Sequence, residues 1–156
     1  AVKTMSDICI ATENHISYTK RLKERERDKD VLIKNIADSV SHSTCITAVD
    51  LNAAAIAVFT RSGMTARMVS RYRPETIIVG ITDNIRAYHQ LALSWGVFPV
   101  LTTVHSTTDQ LFDTAVKMCV KYGFAGKGDI IVIAAGVPVG KSGLTNLIKV
   151  EEIKNV

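Results

Sequence analysis

Two stretches of this 156-residue sequence bring glycine, hydroxyls and a cation close enough together to hold a negatively charged ligand. The first is Thr60-Arg61-Ser62-Gly63-Met64-Thr65, which follows an apolar run and leads into a helical pattern. Backbone N–H groups at a helix start have no intrahelical acceptor and attract anions, and hydroxyls add further donors. The residues suit a phosphate cradle. They suit an ordinary strand–turn–helix joint with a Ser or Thr cap equally well, and sequence chemistry leaves both readings open.

The second stretch is Gly136-Val137-Pro138-Val139-Gly140-Lys141-Ser142-Gly143. It approaches a nucleotide-binding P-loop but fails the strict pattern, because only three residues separate Gly136 from Gly140. A relaxed match beginning at Ala135 exists, yet a P-loop must open a helix, and LTNLIKV has strand character. An ATP-hydrolysing site is therefore not expected. Lys141 and Ser142 can still contribute to an anion site shared with the first loop.

Other residue types offer less. Cys9, Cys45 and Cys119 are far apart, odd in number and form no CxxC pair, which fits reduced thiols in a cytoplasmic protein. Cys119 reads as a small buried hydrophobe within a helix. His15, His42, His89 and His105 lack metal-ligand spacing, and no metal site is expected. Asp83, Asp109 and Asp129 follow turn and cap logic. Ser142 lacks the surroundings of a nucleophile elbow. Arg67, Arg71 and Arg73 follow the first loop, where they can flank an anion or form a solvated face. Nucleophile, base and oxyanion donor do not come together anywhere in the pattern.

The elements that would position the two loops follow from periodicity. Val2 to about Asn14 predicts an amphipathic helix with Val2, Met5 and Cys9 on its apolar side. The run Lys20 to Asp30 mixes six basic and four acidic residues and reads as a solvated linker or helix end. A helix is expected from Val31 to about Val49, capped by Asp30, with Leu32, Ile36, Val40 and Ile46 to Val49 buried. Apolar runs at 53–59, 76–81, 97–101 and 130–135 predict strands. Helices are expected at 64–72, 85–94 and 109–122, and a last strand-like segment spans Thr145 to about Ile153. Wholly apolar strands alternating with helices imply a parallel sheet covered on both faces. The connection after Ala135 is too short for a crossover helix, so the last strand should run antiparallel.

Composition sets the outer limits. One domain-sized chain with 47% apolar residues excludes disorder, and no apolar run is long enough for a membrane span. The net charge of +4 owes +2 to the Lys20–Asp30 run, where no aromatic interleaves, so nucleic-acid binding is not expected. The start, AVKTM, carries no initiator Met and already reads as helix. The expectation is a chain that begins inside a larger protein.

These segments together resemble the C-terminal domain of pyruvate kinases in its bacterial form. The resemblance is carried by AVKTM (1–5), AAAIAVFTRSGMTARMVSRYRP (53–74), IVGITDN (78–84), LALSWGVFPV (91–100) and GDIIVIAAGVPVGKSGLTNLIKV (128–150). It implies a three-layer α/β/α domain whose mixed, mostly parallel five-stranded sheet has the order 3-2-1-4-5. Residues 1–30 would be the end of a preceding barrel plus a charged linker, and 31–156 the C-terminal α/β domain. The barrel would carry catalysis, using phosphoenolpyruvate, ADP, Mg²⁺ and K⁺, so this chain alone would be inactive and hold no cofactor. The domain would contribute subunit contacts in a homo-oligomer. It would also bind a phosphorylated effector through Thr60, Arg61, Ser62, Gly63 and Thr65, with Lys141, Ser142 and Gly143 facing them. Met64, the Val137-Pro138-Val139 run and a tryptophan-free 102–109 stretch depart from the animal enzymes. They leave a sugar monophosphate or nucleoside monophosphate open beside fructose 1,6-bisphosphate. A free-standing phosphorylated-ligand-binding module of the same fold is the alternative.

Overall fold

A computed structural model describes residues 1–27, 35–103, 107–139 and 144–154. Five strands form one sheet: β1 (Ala55–Phe59), β2 (Ile77–Thr82), β3 (Val97–Leu101), β4 (Ile130–Ala135) and β5 (Leu147–Glu152). Their order is β3-β2-β1-β4-β5. The pairs β1–β2, β2–β3 and β1–β4 are parallel, and β4–β5 is antiparallel, as the short connection requires.

The strands β1, β2 and β4 are buried on both faces, their side chains alternating across the sheet. Ile56, Val58, Ile78, Val132 and Ala134 face one layer, packed with Cys45, Ala48, Ala66, Val69 and Leu91. That layer holds α3 (Ile36–Asp50), α4 (Met64–Arg71) and α5 (Ile85–Leu91). Ala55, Ala57, Val79, Ile81, Ile131 and Ile133 face the other way, onto Ala115 and Cys119 of α6 (Thr108–Lys121). The result is the expected three-layer α/β/α arrangement.

Three expectations change on contact with the structure. The charged run forms a helix, α2 (Tyr18–Arg27), in its described part, rather than a linker. Tyr18 and Leu22 are buried, and Leu22 joins the α3–α4 side of the core. Two residues four positions apart, Tyr18 and Leu22, anchor an otherwise charged helix. The expected start of α3, Val31 with its Asp30 cap, lies outside the described residues. The described helix is capped by Asn35, whose Oδ1 accepts the Asp38 N–H at 2.9 Å.

The inner face of α3 also differs. Ile36 is 72% exposed, whereas Asp38, Ser41, Thr44, Cys45 and Ala48 are buried. Ala48 is buried and Ile46 and Val49 pack against the core as expected, but the buried stripe continues through Ser41 and Thr44, whose hydroxyls donate to their own helix, to the Ala37 and Val40 carbonyls at 2.7 Å each. Once satisfied locally, such groups face a core at little cost and pack closely through their small size.

The first helix, α1 (Val2–Glu13), forms as expected but buries nothing within this chain. Val2, Met5 and Ile8 are 81%, 66% and 60% exposed. No helix among the described residues is long and apolar enough to cross a membrane.

Candidate functional site

Both candidate loops leave carboxyl ends of neighbouring central strands, the place where open α/β sheets bind ligands. The first joins β1 to α4. Thr60 continues the β1–β2 pairing, its N–H donating to the Ile81 carbonyl at 3.0 Å. Gly63 then turns the chain into the helix with a left-handed φ of +80°, where a side chain is strained. A Cβ there would also fall 2.6 Å from Arg67 Nη1.

The helix start carries no side-chain cap. The Ser62 hydroxyl reaches only the Met64 N–H, at 3.4 Å. The Ser-or-Thr cap of the plainer reading is therefore absent, and the donors of the first turn remain directed out of the helix. Thr60, Gly63 and Thr65 are buried, while Arg61 and Ser62 are exposed. Arg67 folds back along the loop and donates from Nη2 to the Ser62 carbonyl at 3.2 Å. One face of the turn is thus lined by hydroxyls and helix-start amides, and another by a guanidinium.

The second loop joins β4 to β5. Gly140, Lys141, Ser142 and Gly143 lie outside the described residues, so the contributions expected of Lys141, Ser142 and Gly143 have no described geometry. Its two shoulders are described. Asn146 holds one of them: its Oδ1 accepts the Val137 N–H at 2.8 Å and its Nδ2 donates to the Val137 carbonyl at 2.7 Å. Gly136 lies so close to the Leu144 backbone that a Cβ would collide with the Leu144 carbonyl. The following segment is strand β5 rather than a helix, so among the described residues no helix follows the loop as a P-loop requires.

The two loops meet through Thr65 and Thr145. Their hydroxyl oxygens are 2.7 Å apart, and both residues are buried. Sequence reading did not single out Thr145 or Asn146. The signal was a hydroxyl–amide pair standing between a glycine-rich loop and an apolar strand.

The remaining candidates find structural partners. Arg71 pairs with Asp38, whose carboxylate also accepts the Tyr72 hydroxyl at 2.7 Å. Arg73 lies over the Trp95 ring at 5.6 Å, and Trp95 donates from Nε1 to Glu13 at 3.3 Å. Asp129 accepts the Gly126 N–H at 2.8 Å, as turn logic predicts. Cys45 and Cys119 are buried, and burial pushes both thiols up to about 12. No group of three His, Cys, Asp or Glu gathers to hold a metal among the described residues.

Comparison with known proteins gives a consistent picture. The sequence profile of the family described as "Pyruvate kinase, alpha/beta domain" matches residues 38–151. The chain is 42% identical over 154 residues to a pyruvate kinase of Clostridium acetobutylicum, covering 99% of the chain and 32% of that protein. It is 38% identical over 155 residues to one from Lactobacillus delbrueckii subsp. bulgaricus, covering 99% of the chain and 26% of that protein. It is 40% identical over 156 residues to one from Geobacillus stearothermophilus, covering 100% and 26%. The chain thus spans about a quarter to a third of the length of these relatives.

Proposed function

This chain belongs to the pyruvate kinase C-terminal α/β domain family, and on that premise we propose that it is a regulatory, non-catalytic domain that binds a phosphorylated effector between the 60–65 and 136–146 loops. The observation that carries this reading is the buried Thr65–Thr145 contact, which brings the two loops together at one rim of the sheet. Thr60, Ser62 and Thr65 supply hydroxyls, Gly63 opens the backbone, and the start of α4 supplies amides and the positive end of its dipole. Arg61 supplies charge, and Lys141, Ser142 and Gly143, which lie outside the described residues, are the further donors of this proposal.

The parent enzyme in this reading transfers phosphate from phosphoenolpyruvate to ADP in the cytoplasm, with Mg²⁺ and K⁺, at a barrel outside this chain. Residues 1–30 are the junction with that barrel, and the exposed apolar residues of α1 are the face that packs on it. Contacts with sister domains then let the effector act by linkage. Binding that favours one subunit arrangement raises the population of that arrangement, and with it substrate affinity.

Thermal unfolding against a panel of sugar phosphates and nucleoside monophosphates tests the proposal. At least one ligand raises the midpoint, by an amount corresponding to about 2.7 kcal/mol at a hundredfold excess over its dissociation constant. Thr60→Ala with Ser62→Ala abolishes that shift. A shift that survives both substitutions places the ligand elsewhere.

A further inference from the structure

Away from those loops, a cleft of about 450 Å³ opens between α2 and the end of α4, lined by Tyr18, Arg21, Leu22, Glu24, Arg71, Tyr72 and Arg73. Its charge is lopsided. Glu24 is paired with Lys20 at 3.9 Å, and Asp38, beside the cleft, is committed to Arg71 and Tyr72. Arg21 and Arg73 are left without a carboxylate partner among the described residues. Two guanidinium groups with free planar donor edges suit an oxyanion, which each can grip through two parallel hydrogen bonds.

A further observation points to a ligand. Tyr18 is only 8% exposed and lines the cleft, yet its hydroxyl is the one buried side-chain polar atom among the described residues with no hydrogen-bond partner. Buried polar groups are nearly always satisfied, so a hydroxyl left without a partner at a cleft marks a group awaiting one. Arg73 ends α4 in the left-handed conformation common just past a helix C-cap, with φ +49° and its N–H donating to the Ser70 carbonyl at 2.9 Å. Its guanidinium lies over Trp95, which also packs against the Tyr18 ring at 5.0 Å.

We propose that this cleft is a second anion site, in which Arg21 and Arg73 hold a small multiply charged oxyanion, a phosphate ester or polycarboxylate, with Tyr18 as a further hydrogen-bond partner. The site rests on α2, whose charged run sequence alone reads as a solvated linker or helix end. It stands apart from the effector reading of the 60–65 loop, and neither depends on the other.

The built-in reporter is Trp95, the sole tryptophan of the chain, which touches both Tyr18 and Arg73. Titrating the chain with inorganic phosphate while recording tryptophan emission gives a saturable change. Sulfate competes, and chloride at equal ionic strength does not. Arg21→Gln weakens phosphate by about tenfold or more, as loss of a charge-assisted hydrogen bond does. Tyr18→Phe, which removes only the hydroxyl, weakens it by about threefold or more. Thr60→Ala leaves the signal intact. Arg21 is exposed on a helix, so its glutamine variant retains the fold, and a far-ultraviolet spectrum verifies this. The proposal fails if phosphate and sulfate give no saturable change. It fails equally if the change survives Arg21→Gln, or disappears in Thr60→Ala, which would assign the signal to the other loops.

Discussion

Thr65 and Thr145 stand 80 positions apart in the chain, and their hydroxyl oxygens lie 2.7 Å from each other inside the protein. One hydroxyl donates and the other accepts, so each satisfies the other where water has little access. The contact ties the first turn of α4 to the entry of β5, on either side of the candidate effector site.

Replacing one partner leaves the other buried without a hydrogen bond. Thr145→Val or Thr65→Val should each lower stability by about 1–3 kcal/mol, whereas the double variant should cost less than the two together. Urea unfolding of the four proteins measures the coupling, and strict additivity would show that the contact contributes nothing.

Asp38 is buried and accepts from both Arg71 and Tyr72. Arg71 remains half exposed, so solvent screens part of the ion pair. Asp38→Ala should therefore cost about 2 kcal/mol, seen as a midpoint lowered by roughly 4–8 °C. Tyr72→Phe, which removes one neutral donor, should cost about 1 kcal/mol. Equal losses from the two variants would show that the tyrosine, not the guanidinium, dominates the network.

The three cysteines should separate cleanly by reactivity. Cys9 is exposed, while Cys45 and Cys119 are buried and shifted from 9.0 to about 12. Thiolate is the reactive form, so an alkylating reagent at pH 8 should label one thiol rapidly and two only on unfolding. Mass spectrometry of peptides identifies them. The same shifts bear on stability. Above pH 9 the unfolded chain releases these protons and the folded chain keeps them. The folded state then binds more protons, and stability falls as pH rises from about 9 to about 12. Cys45→Ala with Cys119→Ala should flatten that alkaline decline.

Gly63→Ala should lower stability by about 1–2 kcal/mol, from the left-handed backbone alone. The added methyl group also meets Arg67, so the guanidinium must leave the Ser62 carbonyl. Effector binding should weaken even where the variant remains fully folded. Unchanged affinity, measured by titration calorimetry, would show that the loop does not hold the ligand.

The five strands were legible because their reading needs only local information. Ile56 and Val58 face one layer, and Ala55 and Ala57 the other, so a strand between two helical layers must be apolar throughout. The antiparallel β5 followed from loop length. The 60–65 loop was likewise visible as a cluster of hydroxyls and glycine after a strand. Two helices were read only in part, because their inward faces carry few strongly hydrophobic residues. Leu22 is a lone apolar residue in a charged run, and α3 presents Ser41 and Thr44 inward after satisfying them with its own carbonyls. Average hydrophobicity detects neither device.

By itself, then, the sequence determined the order of elements, the two-sided burial of the central strands and the location of the two turns at their carboxyl ends, because these depend on neighbours within a few residues. Only tertiary structure decided that Thr145 meets Thr65, that Asp38 gathers Arg71 and Tyr72, and that Tyr18, Arg21 and Arg73 share one cleft. Each of those relations joins residues distant in the chain. Their distances are fixed by how layers pack and how helices rotate against the sheet, information that no single segment contains.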